Sequence, residues 1–513
     1  MLRRVLLPLC MLPALVVGGC TVLGPDYTEP EPAWLAAWQP DLYGQLDSTV
    51  QEQDLSRWWQ RFEDPDLNAL VEAVLAQNPG LLASGLQVLE ARARVGGAKA
   101  LRLPQSQQLS ASAAYLRQRR SDGLLPASDD NFGSYDAGIS IGWELDFWGR
   151  FQRGVESADA AFFASVANQR DLQVLLTAQA VDLYYAYRTT ELRIAIAEKN
   201  AALQKRSFEI TQQLFDSGQE SELDLQQART QYLATLATIP GLEQSLVQIR
   251  NALAQLLGRA PQQLPELANA AEALPVVPPL ALKGVPSQLL LRRPDVRASA
   301  WQAGAQSAQI GVSQADLYPA LSLFGSFGWS GDSLGITRDG TTFAAGPAIR
   351  WNIFDYGRIR ANIRVQDARL QQALAAYDAV VLAAAREVDD AAIAVLKTAE
   401  AQSVFRDSRA AAERALELAN RRYREGYADF QRVLDAQRAL AAQAEKELIN
   451  DGAHISAVIQ LHKALGGGWR SQSLEDMIPE SVRSSMRERT NWGDLLSEAI
   501  PAQPGRATSG GGK

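Results

Sequence analysis

Few side chains in this sequence are placed to do chemistry, and the first of them is a thiol. Cys20 follows a short apolar run, Val5–Val17, which Arg3 and Arg4 precede and Gly18-Gly19 close. A charged start, an apolar core and small residues at a cleavage point make residues 1–19 a secretion signal. Val17-Gly18-Gly19-Cys20 reads as a bacterial lipobox, in which the cysteine takes up lipid and becomes the mature N-terminus. The apolar run is too short to span a bilayer as a helix. Cys10 leaves with the signal, so an acylated Cys20 leaves no thiol for a disulfide or a metal site. A covalent lipid on Cys20 is therefore the one group expected, with no other cofactor. His454 and His462 lie two helical turns apart, too far to share one metal, and read as packing residues. The sequence has no phosphate loop, no metal cluster and no nucleophile–base pair, so an enzyme is not expected.

Composition narrows the class further. The chain is 47% hydrophobic and 21% charged, as a folded protein is. Its net charge of −8 argues against a nucleic-acid partner. Abundant alanine and only 7% aromatic residues suit long helices packed closely through small side chains.

The chain is written twice. Arg421–Arg438 reads as the tip of a helical hairpin, with Gly426 ending one helix in the left-handed conformation and the Asp429 carboxylate capping the next. Leu214–Arg229 is its counterpart, with Gly218 at the bend. Asn78-Pro79 matches Arg293-Pro294, Leu103-Pro104 matches Tyr318-Pro319, Trp148-Gly149-Arg150 matches Tyr356-Gly357-Arg358, and Leu257-Gly258 matches Leu465-Gly466. Pro79 to Pro104 is 25 residues, as is Pro294 to Pro319; Gly149 to Gly218 is 69, as is Gly357 to Gly426. Such spacing marks a tandem duplication. The first repeat covers 65–258 and the second 285–469. An arm (20–64) precedes them and a proline-rich linker (259–284) joins them. A polar tail (470–513) follows, with short helices expected to about Ile500 and disorder beyond.

Each repeat switches from helical periodicity to strict alternation. Tyr135, Ala137, Ile139, Ile141, Trp143, Leu145 and Phe147 alternate with polar or small residues, predicting a strand over about 134–147 paired with a weaker one over about 105–117. Arg117–Ser134 reads as the loop between them. In the second repeat, Leu321, Leu323, Phe327 and Trp329 predict a strand over about 319–330, and Phe343 to Ile353 another over about 342–354. Pro347 is awkward there, since it cannot donate to a ladder. Strands with one apolar and one polar face suit lipid outside and water inside; the alternative is a soluble sandwich. Trp143, Trp148, Trp329 and Trp351 near strand ends favour the membrane. Four strands cannot close a barrel and open edges are not tolerated in lipid, so several chains must share one barrel.

The helices set the dimensions. Arg150–Phe215 would be roughly 100 Å long at 1.5 Å per residue. Asp66–Leu103 and Ser221–Leu257, laid end to end, would match it. The fold class is therefore an internally duplicated α+β membrane protein with long coiled-coil-like helices and four amphipathic strands.

Several motifs converge on one family. Cys20-Thr-Val-Leu-Gly-Pro-Asp-Tyr27, Asp146-Phe-Trp-Gly-Arg150, Leu291-Arg-Arg-Pro-Asp-Val296, Ala315-Asp-Leu-Tyr-Pro319, Leu434-Asp-Ala-Gln-Arg438 and Lys463-Ala-Leu-Gly-Gly-Gly-Trp469 resemble the OprM-like, NodT-type lipoproteins of the TolC outer-membrane efflux family. The resemblance implies a homotrimer, whose twelve-stranded barrel in the outer membrane continues as a periplasmic α-helical tunnel. It implies a passive duct for small molecules, working with a periplasmic adaptor and an inner-membrane transporter, most often of the RND class. It also implies a gate at the periplasmic tips, where Asp435 and Arg438 are the matching positions. Gln431 stands where the family often has a leucine, which puts an apolar plug in doubt. Gly218 and Gly426 mark the hairpin tips, and Arg424, within the basic run Arg421, Arg422 and Arg424, is a candidate adaptor contact; a solvated face is the alternative. A duct for ABC-driven protein secretion would share this fold. A purely structural lipoprotein is a further alternative.

Overall fold

The computed structural model describes residues 21–30 and 55–501, apart from 121–127, 270–272, 278–285 and 332–339. Between 31 and 54 it describes only Pro32, Trp34, Leu35, Trp38 and Tyr43. The secretion signal, Cys20 and the end of the tail from 502 lie outside the described residues.

Two helices of equal length dominate. Helix α3 (Arg150–Asp216) and helix α8 (Arg358–Arg424) each hold 67 residues. At 1.5 Å per residue each is about 100 Å long. Both start at a left-handed glycine, Gly149 (φ +71°) and Gly357 (φ +85°), and both end at another, Gly218 and Gly426 (φ +78° each). The ends are built alike. Gly218 donates to the Phe215 carbonyl and Gln219 to Leu214; Gly426 donates to Tyr423 and Tyr427 to Arg422. Only glycine enters this conformation without a Cβ penalty, so the tip positions are dictated by backbone.

The shorter helices fill the length beside them. Helices α1 (Pro65–Gln77) and α2 (Pro79–Ala100) precede the first strand pair, and α4 (Glu222–Leu236) and α5 (Ile239–Leu256) follow the first tip. Helices α6 (Pro286–Arg292) and α7 (Pro294–Ala315) open the second repeat, and α9 (Phe430–Ala464) closes it. The predicted end-to-end stacking holds with a correction. Asn78 caps α2 through Gly80 and Leu81 and donates Nδ2 to the Leu256 carbonyl at the end of α5, 2.8 Å away. The stack is therefore α5 on α2, while α1 turns aside against α3 and the short turn Pro265–Leu267. In the second repeat Arg293 takes the place of Asn78 at the carbonyl end: its Nη1 donates to the Ala464 carbonyl at the end of α9, 2.8 Å away, but its side chain makes no cap bond to α7.

Two other expectations differ from the structure. Ser221–Leu257 is not one helix, because Pro240 lacks a donor and starts α5 after a turn at Ala237-Thr238. Asp429 occupies the N-cap of α9, but its carboxylate makes no cap bond. In the first repeat Ser221 does cap α4, accepting from the Asp224 N–H.

The four strands form one antiparallel sheet in the order β1 (Ser106–Arg120), β2 (Ser128–Glu144), β3 (Ala320–Gly331), β4 (Thr341–Arg350). The first hairpin is longer than its sequence implied, pairing as far as Arg120 with Ser128 inside the expected loop. At the other end β2 stops at Glu144 and β4 at Arg350, short of the expected Phe147 and residue 354, because the chain turns there into α3 and α8. Pro347 sits on β4, which has a ladder partner on one side alone in this chain.

Helix α3 lies at the centre, packed against α1, α2, α4, α5, α7 and α9; α8 packs against α6, α7 and α9. At mid-height Trp58 and Trp59 are buried in the core, with Trp58 stacked on His462 at 4.7 Å. The glycines of Lys463–Trp469 admit this: Gly468 donates to the Leu55 carbonyl, and a Cβ on Gly467 would meet that same oxygen at 2.9 Å. Both histidines are packing groups, and burial pulls His462 down to about 4.

Candidate functional site

The sheet gives the first functional surface. The register places Leu109, Ile139, Phe327 and Phe343 in one row, and Gln107, Ile141, Gly325 and Ala345 in the next. With Ala111, Tyr135, Ala137, Trp143, Leu321, Leu323, Trp329 and Ile349 they make one continuous, mostly apolar face. The opposite face carries Ser110, Ser112, Asp136, Ser140, Glu144, Ser322, Ser326, Thr342 and Arg350, with Phe324 as an apolar exception. The apolar face is open: Leu109 is 80% exposed, Phe343 76% and Ile349 72%. A soluble sandwich would cover these residues, since burying such side chains is its driving force. Leu321 to Trp329 covers about 27 Å of strand at 3.3–3.4 Å per residue, or roughly 20 Å of height at a tilt of about 40°, most of the ~25 Å apolar band of outer-membrane barrels.

Tryptophans mark the helix-side rim. Trp143 donates its indole N–H to the Arg102 carbonyl at 3.2 Å, and its counterpart Trp351 donates to Leu317 at 3.0 Å. Trp148 donates to Pro319 and stacks on Tyr318 at 4.6 Å. Just inside this rim, on the polar face, Arg150 lies 3.5 Å from Glu144 and 3.6 Å from Asp316. No described helix is long and apolar enough to cross a membrane.

The N-terminal arm runs from this rim along the groove between α3 and α7. Leu23 donates to the Trp148 carbonyl. Arg153, buried, holds the Leu23 and Gly24 carbonyls and Asp26. Gly311 admits the arm, for a Cβ there would sit 2.5 Å from the Leu23 oxygen, and Tyr27 lies over Gly304 and donates to Ala300. Val22 touches Gly149 at the sheet–helix junction.

The far end holds the predicted gate residues. The Asp435 carboxylate accepts from Gln431 Nε2 at 3.2 Å and from Arg438 Nη1 at 3.4 Å, so the structure does bring these three together. Arg438 also donates Nε to Gln231 on α4. It lines a groove of about 380 Å³ with Gln204, Gln231, Arg193 and Glu445. Arg424 donates to the Asn420 carbonyl of its own helix, and Arg421 pairs with Glu417, which also holds Arg414.

Sequence reasoning missed what joins the two tips. Tyr423 donates its hydroxyl to Glu220, 3.0 Å away in the first tip loop. Burial, then the hydrogen bond to Glu220, pushes the Tyr423 hydroxyl up to about 12. Beneath it Ala228, Phe430, Val433 and Leu434 form a small core. The two partners are 203 residues apart, and only overlaying the repeats would have faced them.

Comparison with known proteins agrees with this geometry. The sequence profile of the family described as Outer membrane efflux protein matches residues 70–259 and 285–467. The chain is 32% identical over 469 residues to the Solvent efflux pump outer membrane protein SrpC of Pseudomonas putida, covering 90% of this chain and 97% of that protein. It is 31% identical over 470 residues to the Pyoverdine export outer membrane protein OpmQ of Pseudomonas putida KT2440, covering 91% and 98%. The solved outer-membrane channel OprN superposes with a TM-score of 0.79 at 34% identity, covering 87% of this chain and 99% of that one.

The tip contacts predict an outcome. Replacing Tyr423→Phe removes one bond worth about 1 kcal/mol, so tip amides near Gly218 and Gly426 should exchange hydrogen roughly fivefold faster. Unchanged exchange there would show that the hydroxyl does not hold the tips together.

Proposed function

The chain belongs to the outer membrane efflux protein family, and on that premise we propose that it is the passive outer-membrane duct of a tripartite efflux pump. The carrying observation is the four-stranded sheet, apolar and open on one face, polar on the other, running directly into two helices of about 100 Å. Lipid covers the apolar face and water fills the space behind the polar one.

Several copies share one barrel, because four strands close nothing and the smallest barrels have about eight; the family resemblance supports three copies, which makes twelve strands. The helices continue it as a periplasmic tunnel. Cys20 carries lipid, and the contact of Val22 with Gly149 holds that lipid at the inner edge of the membrane. An inner-membrane transporter of the RND class supplies the energy, and a periplasmic adaptor joins it to the tips around Gly218, Gly426 and Arg424. The cargo is small molecules. A relative named for solvents and one named for pyoverdine match this chain almost equally, which supports a duct whose cargo is set by its inner-membrane partner.

The tips close the tunnel. Asp435, repeated around the axis, draws cations and repels its own copies. Arg438 splits its donors between Asp435 and Gln231, so it ties the gate carboxylate to the first hairpin. Gln431 adds a polar donor where an apolar plug would stand. Opening then requires breaking the Arg438 contacts and the Tyr423–Glu220 bond, each exposed enough to cost about 1 kcal/mol.

Two outcomes follow. A photoreactive residue placed at Arg424 in living cells should capture a periplasmic adaptor together with an RND-class transporter; capture of an ABC exporter would instead make this a protein-secretion duct. In planar bilayers, Asp435→Ala combined with Arg438→Ala should raise single-channel conductance severalfold. Conductance equal to that of the parent would remove both residues from the gate.

A further inference from the structure

The duplication extends to single hydrogen bonds, and this allows the contact between two copies to be derived. Trp143 to Arg102 recurs as Trp351 to Leu317, and Asn78 to Leu256 recurs as Arg293 to Ala464. Within the chain, repeat one meets repeat two where β2 pairs with β3. In a shared barrel, repeat two of one copy meets repeat one of the next where β4 faces β1. The first contact is the template for the second.

Strand equivalences come from the repeat landmarks and the ladders. Gly149 and Gly357 align β2 with β4, so Gly142 corresponds to Arg350; the ladders then make their partners Ser106 and Ala320 counterparts, and the first repeat carries one extra residue between Pro104 and Ser106. Ile141 opposes Gly325, and Ala137 opposes Trp329. Carried over, Ile349 opposes Ala111 of the second copy, and Ala345 opposes Tyr115.

Three observations that did not enter this derivation agree with it. First, the pairs Ile349–Ala111, Pro347–Ala113 and Ala345–Tyr115 keep apolar residues on the lipid face, with Phe343 meeting Arg117 at the far end of the strands, whereas a one-residue slip would invert β4 against β1. Second, the Leu145 N–H donates to Leu321, the residue directly opposite it in this ladder. Hydrogen-bonded pairs recur every second residue. Odd-numbered residues of β2 and β3 therefore bond each other, and even-numbered ones bond outward to β1 and β4. The backbone groups at both outer edges are then those of odd-numbered residues, the set the carried-over register places opposite one another. Third, Pro347 is odd-numbered and turns its donorless nitrogen to that outer edge, where proline is tolerated. One rung, opposite Ala113, lacks its N–H.

The rim completes the match. Trp148 stacks on Tyr318 inside the chain. Their counterparts are Tyr356, fully exposed at 104%, and Leu103, 64% exposed. Helix α8, which α7 covers on one side, presents the corresponding helix contact to α2 of the next copy.

We propose that β4 of one copy pairs antiparallel with β1 of a second copy in the register that sets Ile349 opposite Ala111, and that Tyr356 seats on the second copy's Leu103. This rests on the shared barrel proposed above and specifies its seam.

Cysteine pairs test it in the full chain in outer membranes, where acylation of Cys20 leaves no competing thiol. Ala348 and Ser112 form a non-hydrogen-bonded pair in this register, the geometry in which opposing side chains come closest. Ala348→Cys with Ser112→Cys should give covalently linked copies on mild oxidation, at least tenfold more than Ala348→Cys with Ser110→Cys. If the second pair links better, or neither links while the variants still sediment as trimers, the register is wrong and the shared barrel stands. If the parent chain is a monomer in the membrane, both the seam and the shared barrel fall. Tyr356→Ser should lower the temperature at which the assembled copies separate, whereas Tyr115→Ser, on the same face but away from the rim, should lower it less; equal effects would remove Tyr356 from the seam.

Discussion

A sheet edge cannot be left open in hydrocarbon. Each unpaired N–H or C=O there costs several kcal/mol, and this sheet has two edges, β1 and β4. Its apolar face, exposed at Leu109, Phe343 and Ile349, requires lipid against it. Its edges then require strands that the described residues do not supply. In the shared barrel proposed above, membrane insertion and assembly are thus one requirement, met when the edge of one copy becomes the partner of the next. Edge placement of Pro347 costs that arrangement a single rung.

The helical body follows from the same duplication. One helix of 67 residues carries each repeat from the membrane to a glycine tip. The remaining length is filled by shorter helices set end to end, and one polar side chain at each junction holds the end of the incoming helix. Asn78 caps α2 while holding the last turn of α5, and Arg293 holds the last turn of α9 where α7 begins. A helix end otherwise leaves orphan carbonyls, so these residues let a broken helix behave as a continuous one. The break also gives the equator a place for Trp58, Trp59 and the glycines of Lys463–Trp469 to pack.

Much of this was legible in the sequence, because it depends on local backbone rules. Gly426 was legible as a left-handed helix end with Gly218 as its counterpart, and both have positive φ; Gly149, Gly258, Gly357 and Gly466, legible only as repeat landmarks, have it too. Alternation announced the strands and their faces. What was not legible depends on residues distant in sequence. The Tyr423–Glu220 bond, the arm lying on Gly304 and Gly311, and the tail packing Leu474, Met477 and Ile478 against α2 and α3 carry no local signal. The unused cap at Asp429 shows the converse: a residue of the right type at the right place is an option, which the fold does not have to take. Pro240 stood in plain view inside Ser221–Leu257, and the expectation of one helix there overlooked it; α9 has no proline to break it.

The central claim is that odd-numbered positions of the sheet touch lipid and even-numbered ones touch water. Single cysteines at Ile139, Ser140, Ile141 and Gly142, in intact outer membranes, can be scored with a charged maleimide that does not enter lipid. The account predicts that Ser140→Cys and Gly142→Cys react at least tenfold faster than Ile139→Cys and Ile141→Cys. Uniform reactivity along the strand would contradict it, because the apolar face would then be in water.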